Sequence, residues 1–328
     1  MTMTNCPECD APVGAQDRFC EECGRNLLVR TTPVGGPDGT AAAQCVCGSE
    51  DIDADGFCEQ CGRSQPIGRD RMEFVLPTVV GISDRGRRRA RNEDSMAFGH
   101  VHARGVAAIV CDGVASSERS DEASQAAVDA ANAVLVDALV EGTDPERATV
   151  LAVASANRAA GELARPEAQD VAPSCTYVSA MRTDSGVVVG WVGDSRAYWL
   201  ADDGAKTPSR RLTKDDTWAA QLVADGVLTE AEAVTDRRSH VLSRWLGGDS
   251  GQVSPHVVTL VPEESGIVLL CSDGLWNYLP EVEDLEAARP RDAAPMRVAR
   301  QLVDAALAAG GHDNITVVVI EVGVGRDR

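Results

Sequence analysis

The sequence predicts two packed β-sheets flanked by helices, an α+β sandwich, preceded by small cysteine-bound modules. Three observations carry this reading. Clusters of apolar, strand-like runs are interrupted by paired alanine-rich segments with helical spacing. Three runs, at 106–111, 187–193 and 267–272, stop abruptly at Asp112, Asp194 and Asp273. Eight of the eleven cysteines fall within the first 61 residues.

The cysteines come first in the chain. Cys6 and Cys9 are matched by Cys20 and Cys23, and the figure returns as Cys45, Cys47, Cys58 and Cys61. The repeat is literal: F-C-E-E-C-G-R at 19–25 recurs as F-C-E-Q-C-G-R at 57–63. Paired thiolates on tight turns suit tetrahedral Zn2+, four to a site, so the stretch predicts two zinc ribbons that need metal to fold. Cys45 and Cys47 have a single residue between them, which strains the second site or shares its ligands differently. Residues 31–44, rich in Thr, Pro, Gly and Ala, read as a flexible connection. Twelve acids against five arginines in residues 1–70 argue against nucleic acid as the ribbons' partner.

The main domain follows. Residues 74–82 read as a strand, and 83–95, S-D-R-G-R-R-R-A-R-N-E-D-S, as a loop running from arginines into Glu93 and Asp94. Helices are expected over 120–140 and 145–164, the second opened by Asp144-Pro145. Strands are expected at 175–181, 187–192 and 195–200, a polar flap at 212–236, and strands at 241–246, 257–260 and 267–271. A helix at 295–309 and a last strand at 315–322, with Asp313 just before it, complete the chain.

A lone Asp-Gly after a strand is only a turn. Asp112, Asp194, Asp273 and Asp313, joined by Glu93 and Asp94, would repel one another in one fold unless cations sat between them. An oxygen-ligated metal centre is the economical reading, and the arginine beside it suits an anionic substrate such as phosphate. A formal net charge of −20 disfavours nucleic acid and anionic membranes. No run of eighteen apolar residues and no signal-peptide pattern occurs, which predicts a cytoplasmic protein without a membrane partner.

From about residue 79 to 322 the chain resembles the metal-dependent PPM (type 2C) Ser/Thr protein phosphatases, especially the bacterial members. The segments S-D-R-G-x-x-R-x-x-N-E-D-S, V-C-D-G, P-S-C-T, W-V-G-D-S-R-A-Y, L-T-K-D-D-T, L-L-C-S-D-G-L and G-H-D-N-I-T-V-V-V stand in the family's order. The resemblance implies an α-β-β-α four-layer sandwich with a binuclear Mn2+ or Mg2+ site at one edge of the paired sheets. It divides the chain into a double ribbon at 1–65, a linker at 66–72 and a phosphatase domain at 73–324.

Carried over by position, the resemblance makes Asp112 the bridging ligand, assigns the Gly113 carbonyl to the second ion, and lets Asp273 and Asp313 complete the first. Glu93 and Asp94 act at the second ion or through its waters, Arg89 holds the substrate phosphate, and Asp194 serves with Asp273 at a weaker third ion. Oxygen ligands select hard cations, and two of them about 3.5 to 4 Å apart acidify a shared water. The implied partners are phosphoproteins and a Ser/Thr kinase whose work the enzyme reverses.

Two departures stand out. Val114-Ala115-Ser116-Ser117 replaces the family's glycine- or histidine-bearing loop, which leaves protonation of the leaving group to water or to His312, read as a bystander. Asn277 stands where many relatives carry a further metal-binding aspartate, which counts against the third ion. The altered loop motivates an alternative, a pseudophosphatase that binds phosphoproteins without turnover; retention of Asp112, Asp273, Asp313 and Arg89 argues against it. The Gly-Asp-Ser sequences at 193–195 and 248–250 have no histidine partner segment, and Cys111, Cys175 and Cys271 lack the arginine of a cysteine phosphatase, so these thiols read as core residues.

Overall fold

Two six-stranded antiparallel sheets stand face to face in the computed structural model, which describes residues 4–5, 11–14, 20–22, 27–31, 49, 60, 69–164, 171–229, 232–233, 241–291 and 293–323. The first sheet holds β3 (Val29–Thr31), β6 (Ser95–Val101), β7 (Gly105–Cys111), β9 (Tyr177–Thr183), β10 (Gly186–Val192) and β14 (His256–Leu260), in the order β14-β10-β9-β7-β6-β3. The second holds β4 (Arg71–Leu76), β5 (Val79–Asp84), β11 (Arg196–Ala201), β12 (Arg210–Arg211), β15 (Gly266–Cys271) and β16 (Ile315–Val322), in the order β12-β11-β15-β16-β5-β4. Two small pairs lie apart: β1 (Thr4–Asn5) with β2 (Pro12–Val13), and β8 (Ser174–Cys175) with β13 (Leu246–Gly247).

Alternation along each strand makes the layers. Val106, Ala108 and Val110 of β7 meet Val318 and Ile320 of β16 in the core between the sheets. Ala107, Ile109 and Cys111 turn the other way, against α1 (Ser120–Glu141) and α2 (Pro145–Gly161). On the second sheet Leu269, Cys271, Val317 and Val319 pack on α4 (Asp273–Trp276), α5 (Val282–Ala288) and α6 (Pro295–Ala309), while the short α3 (Trp218–Ala224) lies within the stretch expected to form a polar flap. The order is therefore helix, sheet, sheet, helix, as expected. Both faces of β7 are covered, which is why its sequence is an unbroken apolar run instead of an alternating one.

α2 begins where its sequence signals place it. Asp144 accepts the Arg147 N–H at 2.9 Å and Pro145 occupies the first turn of α2. Among the described residues α1 alone is long and apolar enough to suit a membrane crossing, but its alanine face is buried on the first sheet and it is a core helix.

The structure corrects four expectations. The single strand predicted at 74–82 is the hairpin of β4 and β5, turned at Pro77 and Thr78, where Pro77 offers no N–H to a ladder and Thr78 adopts φ 64°. Of the strand predicted at 241–246, Leu246 joins β13 and Leu242 makes an isolated bridge to Thr217. β6 was not predicted; its Gly99 is placed so that a Cβ would come within 2.3 Å of Val136 on α1, so the glycine that weakens the strand signal permits the close helix contact.

The fourth correction concerns the N-terminal boundary. Val29–Thr31 pairs with Gly99–Ala97 of β6, so this stretch belongs to the first sheet, although it falls within the predicted ribbon module. β4 likewise starts at Arg71, inside the predicted linker. Of the eight predicted zinc ligands, Cys20 is described, buried with Val13 against Ala11 and Leu27. Cys6, Cys9, Cys23, Cys45, Cys47, Cys58 and Cys61 lie outside the described residues.

Candidate active site

The strands that end in aspartates deliver them to one edge of the sandwich. Asp112 follows β7; its N–H donates to Thr176 Oγ1 at 3.0 Å and its carbonyl accepts the Thr176 N–H at 2.8 Å. Asp273 opens α4 directly after β15, and Asp313 precedes β16. Because β15 and β16 pair with Cys271 opposite Val317, the chain ends carrying Asp273 and Asp313 emerge side by side. Glu93 and Asp94 precede β6, whose first residue pairs with Cys111 at the end of β7, next to Asp112.

The backbone packs tightly here. A Cβ on Gly113 would come within 2.8 Å of the carbonyl oxygens of Glu93 and Ser120, and one on Gly274 would lie 1.8 Å from the Asn314 carbonyl. Both positions require glycine for close approach.

Burial and crowding of like charge set the electrostatics. Burial first, then the charges of Asp94, Asp273, Asp194 and Asp313, push the Asp112 carboxyl well above its usual range. Asp94 is completely buried and is pushed up to about 7 by burial, with Asp313 and Asp273 adding to the effect; hydrogen bonds from Ser272 and Thr316, each 2.7 Å to its Oδ2, pull the other way. Asp273 is pushed up to about 6 by burial and Asp313. Asp194 is raised well above the ordinary value by burial, Asp273 and Asp215, against the opposing Arg196.

Not every acid faces its neighbours. Glu93 accepts from Ser120 Oγ at 2.7 Å and from Arg91 at 3.2 Å, while Asp313 pairs with Arg89 at 2.6 Å. Arg89 thus reaches the centre as the sequence predicts, but its partner is a carboxylate of the centre itself. No three acid, histidine or cysteine side chains among the described residues stand at metal-ligand spacing. The donor set nevertheless fits hard divalent cations. It is all oxygen, its acids destabilise one another in ionised form, and the buried Oδ1 atoms of Asp94 and Asp273 have no protein partner.

Around the acids lies a polar frame that sequence reasoning missed. Asn314 Oδ1 accepts the Glu93 N–H at 2.8 Å, and its amide donates to the carbonyls of Arg85 and Arg91 at 2.8 and 3.0 Å. Thr316 Oγ1 also meets Ser83 Oγ at 2.8 Å. Ser272, Asn314 and Thr316 all lie inside motifs quoted above. Their signal was a polar residue at the border of a buried apolar run, Ser272 just after β15 and Asn314 just before β16, or inside one, as Thr316 is in β16.

Asp194 is held from the other side. Trp276 donates its indole N–H to the Asp194 carbonyl at 3.0 Å, and the Arg196 guanidinium stacks 3.7 Å over the Trp276 ring while bridging to Asp215 at 2.8 Å. A cavity of about 300 Å³ beside the acids is lined by Asp273, Asn277, Tyr278, His312 and Asp313. His312 donates its backbone N–H to Tyr278 Oη at 2.9 Å. A larger cavity, about 490 Å³ and lined by Asp202, Arg289 and Arg291, opens at the opposite end of the second sheet and holds none of these acids. Cys111, Cys175 and Cys271 are buried thiols, as expected.

Residues 84–308 match the profile of the family described as protein phosphatase 2C. The protein belongs to that family. This phosphatase is 31% identical over 245 residues to the serine/threonine phosphatase stp of Listeria innocua serovar 6a, covering 73% of this chain and 93% of the relative. It is 34% identical over 259 residues to the serine/threonine protein phosphatase PstP of Mycobacterium tuberculosis, covering 77% of this chain and 46% of that longer protein. Among solved structures, the PPM Ser-Thr phosphatase MsPP from Mycobacterium smegmatis, in complex with cacodylate, superposes with a TM-score of 0.61 at 29% identity, covering 76% of this chain and all of that one. The catalytic domain of PstP in complex with two manganese ions superposes with a TM-score of 0.55 at 28% identity, covering 75% and 97%.

Proposed function

We propose that this protein is a Ser/Thr phosphoprotein phosphatase that hydrolyses phosphomonoesters at a binuclear Mn2+ or Mg2+ centre, in opposition to a Ser/Thr kinase. The observation that carries the reading is the convergence of Asp112, Asp273 and Asp313, with Glu93 and Asp94, beside Arg89 in a protein phosphatase 2C fold. The curated relatives compared above are named as Ser/Thr phosphatases, which favours turnover over the pseudophosphatase alternative.

In this reading Asp112, the Gly113 carbonyl, Asp273 and Asp313 would hold the two cations, Glu93 and Asp94 would act at the second directly or through its waters, and Asp194 with Asp273 would serve a weaker third. When bound, the cations acidify a water and draw charge from the phosphoryl oxygens. Arg89 exchanges its Asp313 partner for the substrate phosphate, to which a guanidinium offers two parallel donors. The frame of Asn314, Ser272 and Thr316 keeps the acids from moving apart under their mutual repulsion. Asn277, 3.3 Å from Asp273, brings an amide where a carboxylate would strengthen the third site.

The two four-cysteine sets are proposed to hold one structural Zn2+ each, supported by the repeated F-C-E-x-C-G-R sequence, and to recruit a protein partner. We place the protein in the cytoplasm. The deciding experiment is phosphate release from a phosphothreonine peptide with Mn2+, with EDTA, and with Asp112→Asn. Turnover that needs both Mn2+ and Asp112 supports the reading; peptide binding without turnover in the wild type leaves a pseudophosphatase.

A further inference from the structure

One residue outside the family match grips the acid corner from behind. Arg69 lies between the cysteine-rich stretch and β4. Its Nη2 donates to Ser95 Oγ at 3.0 Å and to the Asp94 carbonyl at 3.3 Å. Its own carbonyl accepts the Asn92 amide at 3.0 Å. Asn92 in turn donates to Ser83 Oγ at 2.8 Å and accepts the Asp94 N–H at 3.2 Å. The two ends of Arg69 therefore hold residues 92 and 94–95, and Glu93 lies between them.

β3 reinforces the same corner. It covers the outer side of β6, the strand that begins at Ser95, and the Leu28 carbonyl extends the pairing by accepting the His100 N–H at 2.9 Å. Thr31 Oγ1 donates to Asp129 on α1, which also accepts from Gln125 at 2.8 Å. Asp121, Asp94 and Asp129 surround the Arg69 guanidinium with negative charge.

Glu93 and Asp94 must be held close to other acids for a cation to bind, and like charges drift apart unless the backbone resists. We propose that Arg69 is a positioning residue that sets the divalent-cation affinity of the centre by fixing the Asn92–Ser95 backbone. The segment after the cysteine-rich stretch is then part of the catalytic unit and more than a linker to it. This rests on the metal reading given under Proposed function.

The test uses the full-length protein, wild type and Arg69→Ala, Arg69→Gln and Arg69→Lys, with Mn2+ affinity measured by calorimetry alongside p-nitrophenyl phosphate hydrolysis and thermal unfolding. Arg69→Ala is expected to weaken Mn2+ binding about tenfold, the usual effect of removing a residue that supports metal ligands, while turnover at saturating Mn2+ stays within about twofold. Arg69→Lys, which keeps the charge but gathers its donors on one nitrogen, recovers part of the affinity. Unchanged Mn2+ affinity in a folded Arg69→Ala or Arg69→Gln protein overturns the proposal and leaves Arg69 a stability residue, whatever the shift in unfolding temperature. Arg69→Gln keeps an N–H donor in a smaller side chain and carries the same test if Arg69→Ala fails to fold. A wild type that binds no Mn2+ overturns the metal reading itself.

Discussion

Asp112 and Asp273 carry the first prediction at the scale of single residues. Asp112→Asn or Asp273→Asn removes charge that would fix the cations, and turnover is expected to fall about 100-fold or more while the fold survives. Full activity of either variant, or of the wild type in excess EDTA, would refute the binuclear centre. Arg89→Ala is expected to raise KM without weakening Mn2+ binding, because Arg89 competes with a cation for Asp313 at 2.6 Å. A Mn2+ titration together with a rate profile separates the two quantities. The raised carboxyls also set a pH dependence. Asp94 at about 7 and Asp273 at about 6 lie above an unfolded value near 3.8, so in the metal-free fold their favourable contribution is complete below pH 3.8 and is lost as pH rises through about 6 to 7. EDTA-treated protein should melt lower at pH 8 than at pH 5.5, and Mn2+ should raise the midpoint more at pH 8, because the cation competes with protons for these groups. A flat melting profile in EDTA would contradict this assignment. Asp112, Asp194 and Asp273 were legible because each ends an apolar run, and Asp313 because it stands just before one. The pairing of Arg89 with Asp313 was not, since a sequence shows which charges are present but not which partners they choose.

Whole elements reach the site through short polar anchors. α4 carries Asp273 at one end and Trp276 at the other, where the indole N–H meets the Asp194 carbonyl under the Arg196 guanidinium. Trp276→Leu removes a buried donor and the ring on which the Arg196 guanidinium stacks. It is expected to cost about 1–3 kcal/mol of stability, the penalty for stranding a buried carbonyl. Denaturant unfolding at constant pH would measure it, and a loss below the error of the extrapolation would show that Asp194 finds another partner. α2 and α6 were legible because Asp144-Pro145 and Pro295 mark their starts and their apolar residues recur at helical spacing. β6 escaped notice because Ser95, Gly99 and His100 interrupt its apolar pattern; its position comes from pairing with β7, a non-local fact. The hairpin at Pro77 was readable from proline chemistry but was hidden within a long apolar stretch.

At the scale of the whole molecule, the sandwich follows from strands covered on both faces, and that much was legible from unbroken runs such as 106–111 and 267–271. The boundary between the cysteine-rich stretch and the catalytic unit was not legible. Composition divides the chain at the last cysteine, whereas backbone pairing assigns Leu28–Thr31, and side-chain hydrogen bonds assign Arg69, to the catalytic side. The acidic balance of residues 1–70 keeps its consequence for partners: this region is expected to show no binding to DNA or RNA in the micromolar range at physiological salt, as checked by fluorescence anisotropy with the full-length protein.

β3 also closes an exposed rim. Without it, β6 would be the outermost strand of its sheet, presenting unpaired N–H and C=O groups along an apolar strand that includes Met96, Ala97 and Phe98. Such a rim is a template for a second copy of itself. A truncated protein beginning at Met72 should therefore self-associate with rising concentration, and sedimentation velocity should detect dimers or larger species where the full-length chain remains monomeric. Three residues of the N-terminal stretch would then keep the enzyme soluble as well as complete.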